Sequence, residues 1–379
     1  MSIAENIDYL KRLPGITRLM TGEGLAGFDG GSGRLHEVRA FGPNPGNLRM
    51  FAYLPANLPK RPALVVMLHG CAQTAAAYDH GAGWTSLADR HGFVVLAPQQ
   101  RRGNNPNLCF NWFAPDDVTR GSGEAASIRQ MIEHTAHEHG IDRKRVFVTG
   151  LSAGGGMASA MLAAYPEVFA GGAIIAGVPH GAAGNLQDAL NVMFKAPHVS
   201  TKELGNRVRA ASTHKGPWPK ISVWHGSADT IVHPANAEHI VNQWLGVHGL
   251  RSEPMFEDIV DGHRRQGWWD VNGRTVIESY SIANMAHGVP LASGGEHAGR
   301  PGRFMLDAGI PSSHHIAAFW GLTERVHQAT LAADAADASP RKLNGNALAQ
   351  PQNKLLTKAS SVNGVINRAL SAVGLRKTD

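Results

Sequence analysis

The 379-residue sequence predicts an α/β fold, with a mostly parallel central sheet and helices on both of its faces. Three observations lead there. Residues 62–68 (PALVVML) and 93–97 (FVVLA) are continuous apolar runs without polar alternation, the pattern of strands buried on both faces. Strand-length runs of this kind alternate with helical patterns along the chain, which calls for βαβ crossovers. Residues 145–157 read as a strand, a sharp turn and a helix, with Gly150-Leu-Ser152-Ala-Gly154 at the turn.

In chain order, residues 1–33 combine a short helical pattern (Ile3, Ile7, Leu10) with a glycine-rich stretch and form an N-terminal arm. Residues 35–41 and 48–54 alternate as two antiparallel strands around a Gly-Pro-Asn-Pro-Gly turn. A helical segment around residues 84–90 separates the two apolar strands. Residues 104–117, rich in Asn, Pro and aromatic side chains, form an ordered loop. Ser122 is placed to cap a helix whose apolar stripe is Ala125, Ile128, Met131 and Ile132, continued by Thr135. The helix after the turn runs to about Tyr165. Strands follow at 172–176, 220–225 and 274–282, and a helix at 313–321 closes a catalytic domain of residues 34–325. Residues 326–379 read as a linker rich in Ala, Asp, Asn and Gln followed by a basic amphipathic tail, with Leu355, Val362, Ile366 and Val373 among its apolar positions.

The charge is confined to that tail. Seven basic residues and one acidic residue from Pro340 to Asp379 account for the whole net charge of +6, so the body is formally neutral. No basic face with interleaved aromatics appears, and nucleic-acid binding is not expected. The tail is a candidate contact for a granule or anionic membrane surface through residues 354–376. No apolar run approaches the roughly 18 residues of a transmembrane helix. Residues 1–13 carry Glu5 and Asp8 and lack a continuous apolar stretch, so no secretory signal is visible. Two cysteines, Cys71 and Cys109, are too few for a disulfide scaffold and read equally as a pair or as separate thiols. No H-E-x-x-H motif occurs, and neither a metal nor an organic cofactor is expected. The glycines of residues 150–156 come too late in the chain, without the acidic residue a dinucleotide fold requires.

A serine at such a turn becomes a nucleophile only with a base to take its proton and a carboxylate to hold that base. With Ser152 as nucleophile, the acid and base are expected later in the chain, after later strands. Asp229, in His225-Gly-Ser-Ala-Asp229, directly follows the strand at 220–225; the rivals Asp258 and Asp261 precede the last strand. His287, in Asn284-Met-Ala-His287, follows the strand ending near Ile282; the rivals are His263, His297 and the pair His314 and His315. Two backbone amides should face the oxyanion of the tetrahedral intermediate. Ala153, next after the nucleophile, supplies one, and Cys71, in the loop after the strand at 62–68, supplies the other.

With these residues placed, the chain resembles the polyhydroxybutyrate depolymerase family of α/β-hydrolase esterases, relatives of feruloyl and acetylxylan esterases. The resemblance rests on His69-Gly-Cys-Ala-Gln73, Cys109-Phe-Asn-Trp-Phe113, Arg120-Gly-Ser-Gly-Glu124, Gly150-Leu-Ser-Ala-Gly-Gly155, His225-Gly-Ser-Ala-Asp-Thr230, Met285-Ala-His-Gly288 and Ala317-Ala-Phe-Trp-Gly-Leu322. It implies an α/β-hydrolase fold, a triad of Ser152, Asp229 and His287, and a disulfide between Cys71 and Cys109 that ties the oxyanion loop to the aromatic loop. It makes Trp112 a candidate wall of the acyl-binding cleft. It implies a carboxylic ester as substrate, poly(3-hydroxybutyrate) or its oligomers, with feruloyl or acetylxylan esters as the alternative; a serine peptidase is a remoter rival for the same catalytic residues. Family members are commonly secreted, so the resemblance points outside the cell while the absence of a visible leader points to the cytoplasm or a granule.

Overall fold

The computed structural model describes residues 33–294 and 299–323. The N-terminal arm before Gly33, His297, and the linker and tail beyond residue 323 lie outside the described residues. A ten-stranded sheet carries the fold, in the spatial order β1-β2-β4-β3-β5-β6-β7-β10-β9-β8. Its strands are β1 (His36–Val38), β2 (Arg49–Tyr53), β3 (Ala63–Leu68), β4 (Phe93–Gln99), β5 (Val146–Leu151), β6 (Gly171–Ile175), β7 (Lys220–Gly226), β8 (Phe256–Val260), β9 (His263–Trp269) and β10 (Thr275–Ile282). A short parallel pair, β11 (Val289–Leu291) and β12 (Met305–Asp307), stands apart. The helices are α1 (Ala75–Ala82), α2 (Trp84–His91), α3 (Pro115–Val118), α4 (Gly123–Glu138), α5 (Ala153–Ala164), α6 (Leu186–Lys195), α7 (Thr201–Ala210), α8 (Ala235–His248) and α9 (Ser312–Phe319).

The six central strands, β4, β3, β5, β6, β7 and β10, are parallel to their neighbours, and antiparallel strands close both edges. From β3 the chain steps one way to β4, then returns across β3 to β5. That reversal opens a crevice at the carboxyl ends of β3 and β5, where α/β sheets hold their ligands. The unbroken apolar runs have the expected cause. Leu64, Val66 and Leu68 face one core with α4, α5 and α8, while Ala63, Val65 and Met67 face another with α1, α2 and α9. Every residue of β3, β4 and β5 is buried.

Several elements differ from the sequence reading. The helix expected around residues 84–90 is α2, but a second helix the sequence pattern did not mark, α1, precedes it, and Gly83, with a φ of 74°, breaks the run between them. The loop at 104–117 contains the single turn α3 at its end. Ser122 precedes α4 but does not cap it: its hydroxyl donates to the Thr119 carbonyl, and Asp117 Oδ1 accepts from the Glu124 amide at 3.2 Å instead. Residues 256–269 form a hairpin the sequence pattern did not mark, and β9 pairs antiparallel with β10.

The α9 segment is anchored by Trp320, whose ring stacks on Phe147 of β5 at 4.8 Å and on Trp84 of α2 at 5.8 Å. Trp320→Ala therefore removes a stacked, buried ring from the second core and is expected to cost about 3–5 kcal/mol, read as a lowered midpoint in urea unfolding.

Candidate active site

Ser152 directly follows β5, with φ 56° and ψ −118°, a conformation a side-chain-bearing residue rarely adopts. Two backbone bonds hold it there: its own amide donates to Ile175 O at 2.9 Å, and its carbonyl accepts from Gly156 N at 2.9 Å. The flanking glycines are demanded by contact. A Cβ on Gly150 would lie 2.2 Å from the Gly154 carbonyl oxygen, and one on Gly154 would lie 2.2 Å from Leu68 O and 2.5 Å from His69 O. The end of β3 thus lies directly against the first turn of α5.

The loop leaving β3 is built from committed groups. Gly70 N–H donates to Gln73 Oε1 at 2.9 Å, Ala72 N–H to Asn107 O at 2.7 Å, and Gln73 N–H to Gly70 O at 3.3 Å. His69 beneath the loop is fully buried. Its Nε2 accepts from Gln100 N at 3.2 Å, so Nδ1 carries the proton and donates to Gly70 O at 2.8 Å. Burial pushes this imidazole down to about 4, keeping it neutral. Cys71 and Cys109 are joined in a disulfide, as the resemblance implied.

The aromatic loop is fastened by a carboxyl group. Glu124, in the first turn of α4, accepts from Gln100 Nε2 at 2.5 Å and from Asn111 N at 2.9 Å, and Gln100 Nε2 also donates to Cys109 O. Burial, reinforced by the negative charge of Asp117, outweighs these donors and pushes Glu124 up to about 8. Trp112, one residue beyond Asn111, sits on Gly156, where a Cβ would come within 2.7 Å of its ring. It packs with Val178, Val192, Met193, Ile231 and Val232 in a small apolar cluster separate from the two cores.

Asp229 and His287 meet directly. His287 Nδ1 lies 2.7 Å from Asp229 Oδ2. A carboxylate only accepts, so Nδ1 carries the proton and Nε2 keeps its lone pair. The loops bearing them are stitched together by Ala228 N donating to Met285 O at 3.0 Å and Ser227 N to Ile282 O at 2.9 Å. Asp229 Oδ1 accepts from Ile231 N and Val232 N at 2.8 and 2.9 Å. Burial alone would discharge Asp229, but hydrogen bonds from His225 and His287 prevail and hold it well below the usual carboxylate range. Ser152, Asp229 and His287 follow β5, β7 and β10, parallel strands of the sheet interior whose carboxyl ends lie on one side.

The rivals are engaged elsewhere. Asp258 pairs with Arg265 on the edge hairpin, and Asp261 with His315 at 2.8 Å. His263 Nε2 donates to Ala308 O, and its Nδ1 accepts from Ala283 N. His314 and His315 lie on α9. Sequence reasoning missed Gln100, the role of Glu124, and His225, which stands 3.1 Å from Asp229 Oδ2. Glu124 and His225 lie inside quoted motifs, and that was their only signal. Among the described residues no group of three or more His, Cys, Asp or Glu side chains is arranged to hold a metal ion.

The pattern of the Esterase PHB depolymerase family matches residues 48–267. The chain belongs to that family. It is 45% identical over 291 residues to poly(3-hydroxyalkanoate) depolymerase C of Paucimonas lemoignei, covering 76% of this chain and 70% of the relative. An acetylxylan esterase of Coprinopsis cinerea is 34% identical over 266 residues, covering 68% and 70%. Among solved structures, acetyl xylan esterase from Aspergillus awamori superposes with a TM-score of 0.66 at 25% identity, covering 76% of this chain and all of that one. The fold is that of an α/β-hydrolase, and the chain is a serine esterase.

Glu124 makes a pH prediction. Its folded pKa is raised, so between its unfolded value near 4.5 and about 8 the unfolded chain loses a proton the folded one keeps, and stability falls as pH rises through that window. Glu124→Gln is expected to flatten this fall in urea titrations from pH 5 to 8.

Proposed function

We propose that Ser152, His287 and Asp229 carry out ester hydrolysis through an acyl-enzyme. Ser152 Oγ attacks the ester carbonyl as its proton passes to His287 Nε2. The amides of Cys71 and Ala153 hold the oxyanion. Collapse of the intermediate breaks the ester bond, and the alcohol leaves with the proton from His287. Water then attacks the acyl carbon, gives a proton to His287, and restores the serine as the acid departs. Asp229 keeps His287 in the required tautomer and stabilises its cation.

The buried 2.7 Å contact between Asp229 and His287, at the carboxyl end of the parallel strands where Ser152 also stands, is the observation that carries this reading. The loop after β3 supports the oxyanion role: the amides of Gly70, Ala72 and Gln73 are all donated within the protein, which leaves Cys71 N–H for a ligand. Neither step needs a metal or an organic cofactor. Ser152→Ala is expected to lower kcat/KM for a soluble ester by several powers of ten while the fold is retained. Activity unchanged in that variant would end the proposal.

For the substrate, the depolymerase relative favours poly(3-hydroxybutyrate) or its oligomers. The apolar cluster of Trp112, Val178, Met193 and Ile231 suits a short aliphatic acyl chain, with Trp112 as its wall. The acetylxylan esterase relatives favour a second reading, in which acetyl or feruloyl groups are released from carbohydrate. A panel of 3-hydroxybutyrate oligomers, acetylated xylan and feruloyl esters separates the two. Release of 3-hydroxybutyrate with a several-fold higher KM in Trp112→Ala is the expected result; release of acetate or ferulate alone would favour the second reading. Contact with a granule or membrane surface is a separate proposal for residues 354–376. Truncation after Thr330 should then abolish binding to particles and spare soluble esters.

A further inference from the structure

Asp229 is shared by two histidines, and the proposed mechanism uses only one. His225, the penultimate residue of β7, is buried, with Nε2 2.9 Å from Val232 O and 3.1 Å from Asp229 Oδ2. A carbonyl oxygen can only accept, so Nε2 carries the proton, and that one N–H is forked between the carbonyl and the carboxylate. The other ring nitrogen, Nδ1, is buried without a hydrogen-bond partner. A proton there would leave an unpaired N–H on a buried cation, so the neutral ring is the form that fits.

We propose that His225 is a positioning residue for the reaction, a neutral donor that fixes the carboxylate of Asp229 so that it faces His287. This rests on the triad reading above. The loop from Asp229 to Val232 is closed from both sides. Val232 N–H and Ile231 N–H bind Oδ1, while Val232 O and Oδ2 both lean on His225. Three donors that belong to the scaffold thereby orient the carboxylate, and the remaining direction on Oδ2 is taken by His287 Nδ1. The fork also draws electron density from Oδ2. Without it Asp229 becomes a stronger partner for the imidazolium, which is then harder to discharge as the pH rises. The titratable groups facing Asp229 are His225 from β7 and His287 from the loop after β10; Phe304, edge-on to His287, carries no charge.

The test is hydrolysis of a p-nitrophenyl ester by the full chain carrying His225→Leu or His225→Gln. Leu removes the donor, whereas Gln places an amide N–H near the position of Nε2. His225→Leu should lower kcat about tenfold to a hundredfold, the scale for partners that orient a functional group. KM should stay within about twofold, and the acid limb of the kcat/KM profile should move to higher pH. His225→Gln should recover most of kcat and the original limb. If His225→Leu does not fold, His225→Asn, whose amide is too short to reach Oδ2, takes its place. Wild-type kcat and limb in the donor-free variant overturn the inference. So does an equal loss in the Gln variant with the limb unmoved, the result of a merely structural role. Activity retained in Ser152→Ala sinks the triad instead, and with it the basis of the inference, and is read separately.

Discussion

Everything at the carboxyl ends of β3 and β5 depends on one close approach, the carbonyl oxygens of Leu68 and His69 lying against Gly154 in the first turn of α5. It sets the end of β3 beside the end of β5, at the point where the strand order reverses. A single methyl group at residue 154 would force them apart. The same approach allows Ser152 its left-handed backbone, a strain of about 1–3 kcal/mol that persists only because its surroundings impose it. Those surroundings are substantial: every residue of β5 and of α5 is buried, and the backbone bonds to Ile175 and from Gly156 bracket the serine.

What could be read from the sequence follows from how strongly each element is determined locally. β3, β4 and β5 are buried on both faces, so their side chains are apolar regardless of partner and announce themselves. The hairpin of β8 and β9 does the opposite. It lies at the sheet edge with most of β8 exposed, and it is laced by ion pairs between Glu257 and Arg264 and between Asp258 and Arg265. Cross-strand charges of that kind protect an edge and erase the alternation by which a strand is recognised. Ser122 shows a different failure. Its type and position suit a cap, but its hydroxyl turned to Thr119, and Asp117, brought back by α3, took the amide. A choice between two nearby acceptors is decided by the path of the loop, which local composition does not specify.

The site divides along the same line. The positions of Ser152, Asp229 and His287 could be read because each follows a recognisable strand, and parallel strands bring their carboxyl ends to one side of the sheet. Their supports were not. Glu124 in the first turn of a helix reads as an ordinary complement to the helix dipole. Only the folded aromatic loop buries it under Gln100 and Asn111. His225 reads as one histidine among twenty until Val232 folds back over it.

These supports share a consequence for charge. Hydrolysis through Ser152 would create two new charges, an imidazolium at His287 and an oxyanion near Cys71, and the buried groups are sorted to suit them. Asp229 keeps its negative charge beside the first, because donors from two histidines and two amides offset its desolvation. At the aromatic loop, Glu124 is tied through Gln100 to the carbonyl of Cys109, the partner of Cys71. A second carboxylate there would oppose the oxyanion, since buried charges are poorly screened. Burial that pushes Glu124 up to about 8 removes that charge at neutral pH, and His69 below the same loop is likewise neutral. The loop after β3 can therefore present amide dipoles to the oxyanion with no buried anion behind them. Low dielectric thus pushes both carboxyl groups toward the neutral form, overcome by hydrogen bonds at Asp229 and left to prevail at Glu124.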